Sequence, residues 1–322
     1  MLRKKVIIDF DSERIAVMVD GVLLKLCPSS VVRKTTEMPV AVSYGDEAEK
    51  NKDSLGSSEV YCTPFKDGRI VDETAARILF RSVLRELLGK NPLANIYVLV
   101  SGGLSKEDKF VISRSFSSCG YGRVTIVPRP KIIARLLGFN NLYCGLYMDT
   151  DVSELALGAE GNLLCSHTID VSLSALAEQI RERFLSDGKL KLSVETSLNV
   201  AKKYCSLFEF DNSKIIAVGT DAITAGKKSV YFTAKDVYAL CDGVYSKTTD
   251  LISAALLDAD KDFAIAAAKS GILFLGSGTR IGGFEEYVYK KLGIGGFIMK
   301  DDSVLLSVTH NLAVNEPDFL EE

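Results

Sequence analysis

Four aspartates stand where they could meet an anion or a cation. Asp9 and Asp11 follow the apolar run Val6-Ile7-Ile8, and Asp149 and Asp151 follow Leu146-Tyr147-Met148. Carboxylates gathered at strand ends suit a hard divalent cation such as Mg2+, which takes oxygen ligands. Aspartate at the end of a strand also caps turns, accepting from backbone N–H groups a few residues on. A second candidate is Gly276-Ser277-Gly278-Thr279-Arg280-Ile281, after the apolar run Ile272–Leu275. Glycines let backbone N–H groups converge on a ligand's oxygens with no side chain between, and they equally mark a plain strand-to-helix turn. There is no Gly-x-Ser-x-Gly elbow and no P-loop. His167 and His310, the only histidines, offer no His-based triad of plausible spacing.

The elements that must hold these residues repeat. Residues 9–24 lie without gaps over residues 149–164: strand, Asp-x-Asp turn, strand, acidic-Gly turn, strand. Asp20-Gly21 and Gly161-Asn162 tolerate positive φ and suit tight hairpins. Between the two meanders, residues 72–88 place apolar side chains on one helical face and meet a natural stop at Gly89. A strand over 95–100, a helix opened by Ser105 and Asp108 at capping-box spacing, a strand over 123–127 and a short helix over 132–137 follow. After the second meander the pattern predicts helices over 173–185, 194–207 and 234–257, with strands over 214–218 and 272–275. Strands alternating with helices argue an α/β fold.

Bulk properties narrow the classes. At 322 residues the chain exceeds the usual single-domain size, so two lobes are expected. A net charge of −3 argues against general affinity for nucleic acid or an anionic membrane. Seven scattered cysteines without a Cys-x-x-Cys pair read as reduced thiols rather than a zinc site. The basic start Met1-Leu2-Arg3-Lys4-Lys5 is followed by an apolar run that stops at Asp9, too short for a signal peptide. Residues 263–275 contain Lys269 and Gly271 and fall short of the ~18–20 residues a membrane span needs. The expected location is therefore cytoplasmic.

Three ordered segments carry a resemblance. Ile8-Asp9 with Ser12 matches a strand ending in Asp followed by a phosphate loop. Pro64-Phe65-Lys66-Asp67-Gly68-Arg69-Ile70-Val71-Asp72 matches a connection from phosphate loop to helix and is the most specific of the three. Gly276-Ser277-Gly278-Thr279-Arg280-Ile281 matches an adenosine loop, and Asp149 adds the start of a second phosphate loop. Together they resemble the MreB family of bacterial actin-like proteins. The resemblance implies the duplicated actin-like α/β fold, two lobes around a central nucleotide cleft. It suggests a first lobe over residues 1–140, a second over 141–300, and a segment 301–322 that returns to the first. It implies ATP and Mg2+ as ligands, with Asp9, Ser12, Asp149, Gly276, Ser277, Gly278 and Thr279 at the nucleotide. A metal would sit among Asp9, Asp11, Asp149 and Asp151.

The sequence also departs from that family. Asp11 and Asp151 replace phosphate-loop glycines, and Asp151-Val152-Ser153 shortens the second loop. Two unit charges ~4 Å apart repel by about 4 kcal/mol at an effective dielectric of ~20, which would weaken nucleotide binding by ~10³. Two arrangements avoid this: the side chains turn away, or a cation neutralises them. Arg129 stands in Val127-Pro128-Arg129-Pro130-Lys131, where the family carries a water-orienting Glu. A guanidinium cannot serve as a base, though it can bind phosphate. No catalytic residue is assigned, and at most a slow ATPase is expected. The leading expectation is an MreB-like cytoskeletal subunit of cell shape, with weak or absent hydrolysis, that joins filaments with itself or related actin-like subunits. Partners at the inner face of the membrane, among cell-envelope proteins, are also expected, with Leu93 after Pro92 one apolar contact; nucleic acid is not. The alternatives are a Mg-dependent small-molecule kinase or phosphatase of the same fold and a nucleotide-free scaffold of a membrane-associated assembly.

Overall fold

A strand buried on both faces selects an unbroken apolar run, and Val6-Ile7-Ile8 forms the fully buried centre of β1 (Lys4–Phe10). The computed structural model describes residues 3–36, 40–89, 93–207 and 214–321. Met1, Leu2 and Pro92 lie outside them. The chain divides into two units, Met1–Leu136 with Ser303–Glu322, and Leu137–Asp302.

In the first unit β1 continues into β2 (Arg14–Val19) and β3 (Val22–Pro28). A small antiparallel sheet comes next, of β4 (Val31–Lys34), β5 (Ala41–Tyr44) and β6 (Glu59–Cys62), with α1 (Asp46–Asn51) inserted. The motif from Pro64 to Asp72 folds as a hairpin, β7 (Phe65–Lys66) and β8 (Arg69–Ile70), around Asp67 and Gly68, both at positive φ. Its last residue, Asp72, is the N-cap of α2 (Glu73–Leu88), accepting from Ala75 N at 2.9 Å, and it also pairs with Arg33 at 3.2 Å. Gly89 ends that helix at φ 66°. Then come β9 (Ala94–Val100), α3 (Lys106–Ser117) with Ser105 and Asp108 forming a capping box, β10 (Val124–Pro128) and α4 (Arg129–Phe139). Helix α4 starts three residues earlier than the apolar pattern predicts. Pro130 allows this, since a proline in the first helical turn gives up an N–H that has no partner there.

The second unit repeats the plan with β11 (Cys144–Met148), β12 (Ser153–Ala159) and β13 (Asn162–Ile169). It continues through α5 (Leu173–Gly188), β14 (Leu190–Lys191), α6 (Val194–Tyr204), β15 (Ile215–Asp221), β16 (Lys227–Phe232), α7 (Ala234–Asp258) and α8 (Lys261–Ser270). The strand β17 (Ile272–Leu275), a 3-10 turn Ser277–Arg280, α9 (Phe284–Leu292) and β18 (Gly296–Ile298) complete it. The chain then returns to the first unit, where α10 (Val304–Asn315) packs on β1 and α11 (Pro317–Glu321) on β10.

The two main sheets have matching orders, β10-β9-β1-β2-β3 and β18-β17-β11-β12-β13, with the central strand parallel to one side and antiparallel to the other. The repeat extends to irregularities. A register shift falls at Val17/Met18 in one meander and at Leu157/Gly158 in the other. The following turns place Asp20-Gly21 and Glu160-Gly161 at positive φ, so the second turn falls one residue earlier than Gly161-Asn162, and Asn162 already opens β13. Each unit encloses its own core. In the first, Phe10, Phe65, Phe80 and Phe116 form a chain of rings with centroids 4.3, 5.6 and 4.1 Å apart. Among the described residues no helix is long and apolar enough to cross a membrane.

Candidate functional site

In open α/β sheets, ligands bind beyond the carboxyl ends of the parallel strands. In the first unit those ends are Asp9-Phe10 on β1, Val100 on β9 and Pro128 on β10, since all three strands run the same way. Arg129, the first residue past β10, reaches back across the end of β9. Its Nη2 donates to Asp9 Oδ1 at 2.8 Å, with the two side chains 6% and 13% exposed. Asp11 does not project from the β1–β2 turn. Its Oδ1 accepts from the N–H groups of Glu13 (2.7 Å) and Arg14 (2.8 Å), and Arg14 Nε lies 3.7 Å from Oδ2. The carboxylate thus takes up backbone donors that a glycine at this position would leave for an anion. Ser12 lies within the same turn.

The gapless repeat places Asp149 over Asp9. The hairpins themselves are two residues out of step with that alignment. Phe10 pairs with Ile15 and Met148 with Ser153, so the turn equivalent of Asp149 is Asp11. The backbone agrees: Asp11 N donates to Arg14 O at 2.9 Å, and Asp149 N to Val152 O at 3.0 Å. From the first hairpin pair to the register shift, β12 runs over residues 153–157 where β2 runs only over 15–17, and these two extra residues bring the second hairpins back into step.

The second unit gathers the rest. Asp149, 3% exposed, accepts from Tyr147 Oη at 2.7 Å and from the hydroxyl of Ser277. Asp151 accepts from Ser174 Oγ at 3.2 Å, in the first turn of α5. The loop after β17 lies against β11. Thr279 is buried and donates to Gly276 O at 2.9 Å, and Tyr245 Oη donates to Gly278 O at 2.8 Å. Burial pushes the Tyr245 phenol well above its ordinary value, so it remains a neutral donor. Gly276 and Gly278 answer to their own sheet: a Cβ on Gly276 would meet Met148 O at 2.2 Å, and one on Gly278 would meet Met148 Cγ at 2.5 Å. Lys202 and Lys203 are exposed near the end of α6, and Leu93 is exposed before β9.

Asp9 at the end of β1 thus stands beside the turn that holds Asp11 and Ser12 in the first unit, and Asp149, Gly276, Ser277, Gly278 and Thr279 share one end of the sheet in the second. Among the described residues no group of three or more His, Cys, Asp or Glu side chains could hold a metal ion. Ser101-Gly102-Gly103 at the end of β9, where Gly103 N donates to Ser101 Oγ at 3.3 Å, joins the site residues of the first unit although its motif was not among the candidates. A Ser-Gly-Gly run directly after an apolar strand was the available signal. Tyr147, Ser174 and Tyr245 owe their roles to contacts that no local sequence pattern reveals.

The family described as MreB/Mbl protein matches residues 3–314. The chain belongs to the MreB/Mbl family. Its resemblance in motifs is therefore a family relationship, and it has the actin-like fold. MreB 5 of Spiroplasma citri bound to AMPPNP superposes with a TM-score of 0.87 at 18% identity, covering 100% of this chain and 99% of that one. MreB5 of Spiroplasma citri bound to ADP gives 0.84 at 20% identity, covering 99% and 98%. MamK in a double helical filament gives 0.77 at 16% identity, covering 97% and 100%. No curated protein matches the chain in sequence. At these identities the superpositions carry the fold of this MreB/Mbl chain and not its ligands.

Proposed function

We propose that this MreB/Mbl chain is a cytoskeletal subunit that assembles into filaments, binds ATP or ADP as a conformational ligand, and hydrolyses ATP slowly or not at all. The observation that carries the reading is the Arg129–Asp9 pair. It puts a permanent cation, unable to accept a proton, where the family resemblance implies the water-orienting Glu. Nucleotide in the two Spiroplasma citri relatives and the filament of MamK support binding and assembly. A place on the cytoplasmic side of the membrane and a part in cell shape belong to the same proposal, and membership of the MreB/Mbl family supports them. Asp9, Ser12, Asp149 and the loop Gly276–Thr279 are the proposed nucleotide contacts. Pelleting the full chain with and without ATP and Mg2+, beside a phosphate-release assay, tests it. Assembly with little phosphate release is expected; a chain that stays monomeric at high concentration in both conditions overturns it.

A second reading, a nucleotide-free scaffold, draws on the same turns. Asp11 holds its own backbone donors, and Asp149 is already engaged by Tyr147 and Ser277. Assembly that ignores nucleotide, together with calorimetry that detects no ATP or ADP binding, would select it.

A further inference from the structure

The donor set at the first phosphate turn does not suit the divalent cation that the fold family implies. Mg2+ at a nucleotide site is held by one or two carboxylates plus the phosphates, and it keeps several waters, so it needs carboxylate oxygens turned toward it. Asp11 is engaged through both of its oxygens, and Asp9, at the end of β1, is ion-paired through Oδ1. Asp11 Oδ1 accepts from the Glu13 and Arg14 N–H groups, and its Oδ2 faces Arg14 Nε. Asp9 Oδ1 accepts from Arg129 Nη2 at 2.8 Å. A divalent cation bound to Asp9 would repel a guanidinium bonded to the same carboxylate.

Arg129 already supplies what the metal would bring. Its side chain is 6% exposed, so its charge is little screened by salt or water. A guanidinium offers N–H donors in a planar fork that matches phosphate as well as carboxylate, and it keeps its charge at every accessible pH. Its position past the end of β10, reaching to the end of β1, is where phosphates meet an α/β sheet. Resting on the nucleotide reading above, we propose that Arg129 takes the place of Mg2+. It neutralises Asp9 and receives phosphate oxygens, so that ATP and ADP bind this chain without a divalent cation.

Calorimetry on the full chain, with ATP and with ADP, in Mg2+ and in EDTA, tests this. For the wild-type chain the dissociation constants in the two buffers should agree within about threefold, well inside one decade of affinity. In EDTA, Arg129→Gln should weaken binding by ~10- to 100-fold, the worth of one charge-assisted hydrogen bond. Because Arg129→Gln leaves Asp9 buried without its cation, circular dichroism must show it folded. Arg129→Lys keeps the charge and loses only the fork, and should bind in EDTA with intermediate affinity. Wild-type binding in Mg2+ alone overturns the inference while leaving the nucleotide reading intact, as does undiminished binding by folded Arg129→Gln in EDTA. No binding in either buffer overturns both.

Discussion

Gly276 packs so closely on Met148 that a Cβ at that position would lie 2.2 Å from the Met148 carbonyl oxygen. Its φ of 87° is also one that other residues rarely adopt. The glycine is therefore required by the join between β17 and β11, whatever the loop binds.

Gly276→Ala should cost about 2–4 kcal/mol, combining backbone strain with overpacking. Gly293 provides the contrast. It has φ 70° and no heavy atom within 4 Å of a built Cβ, so Gly293→Ala should cost only about 1 kcal/mol. Urea midpoints of the two variants measure the difference, and equal losses would contradict the Met148 contact.

Asp9 and Arg129 should behave as one unit in stability. Removing either partner leaves a charge largely buried and should cost ~3–5 kcal/mol. Asp9→Asn combined with Arg129→Met should cost much less than the sum of the single changes. A double-mutant cycle by chemical denaturation reads the coupling; strict additivity would mean the pair does not interact.

Tyr245→Phe removes the hydroxyl that donates to Gly278 O and leaves that carbonyl without this donor. A loss of ~1–2 kcal/mol is expected. Under the proposed function, nucleotide affinity should fall as well, because the loop Gly276–Thr279 loses a tether. Thermal melts and calorimetry separate the two effects.

Acid should weaken the first unit partly through Glu86. Hydrogen bonds from Lys25 and then Tyr44 hold its carboxyl below the usual value of 4.5. A depressed folded value means the stabilisation is present above pH 4.5 and is lost as pH falls through the folded value. Since Glu86 is 44% exposed, solvent screening limits the effect to under about 1 kcal/mol. Glu86→Gln should flatten that part of the stability-versus-pH curve, which denaturation midpoints taken across the acid range would show.

Much of the scaffold follows from local chemistry that the sequence displays. The helix stop at Gly89, the Ser105–Asp108 capping box, the paired meanders and the turns at Asp20-Gly21 and Glu160-Gly161 each depend on φ preferences or on hydrogen bonds spanning a few residues. The candidate site was readable only as a set of positions. Whether Asp11 would face a ligand or close its own turn depended on the exact course of the backbone. That Asp149 matches Asp11 rather than Asp9 depended on strand register, which the gapless alignment of residues 9–24 with 149–164 could not reveal. The partner of Asp9 lies 120 residues away in sequence, and the neighbour that requires glycine at 276 is Met148 on another strand. Sequence alone determined the repeated local geometry, because short-range sterics and hydrogen bonds act wherever the chain goes. Tertiary structure alone decided which partners Asp9 and Asp149 take, because Arg129 and Ser277 reach them only after the sheets have formed.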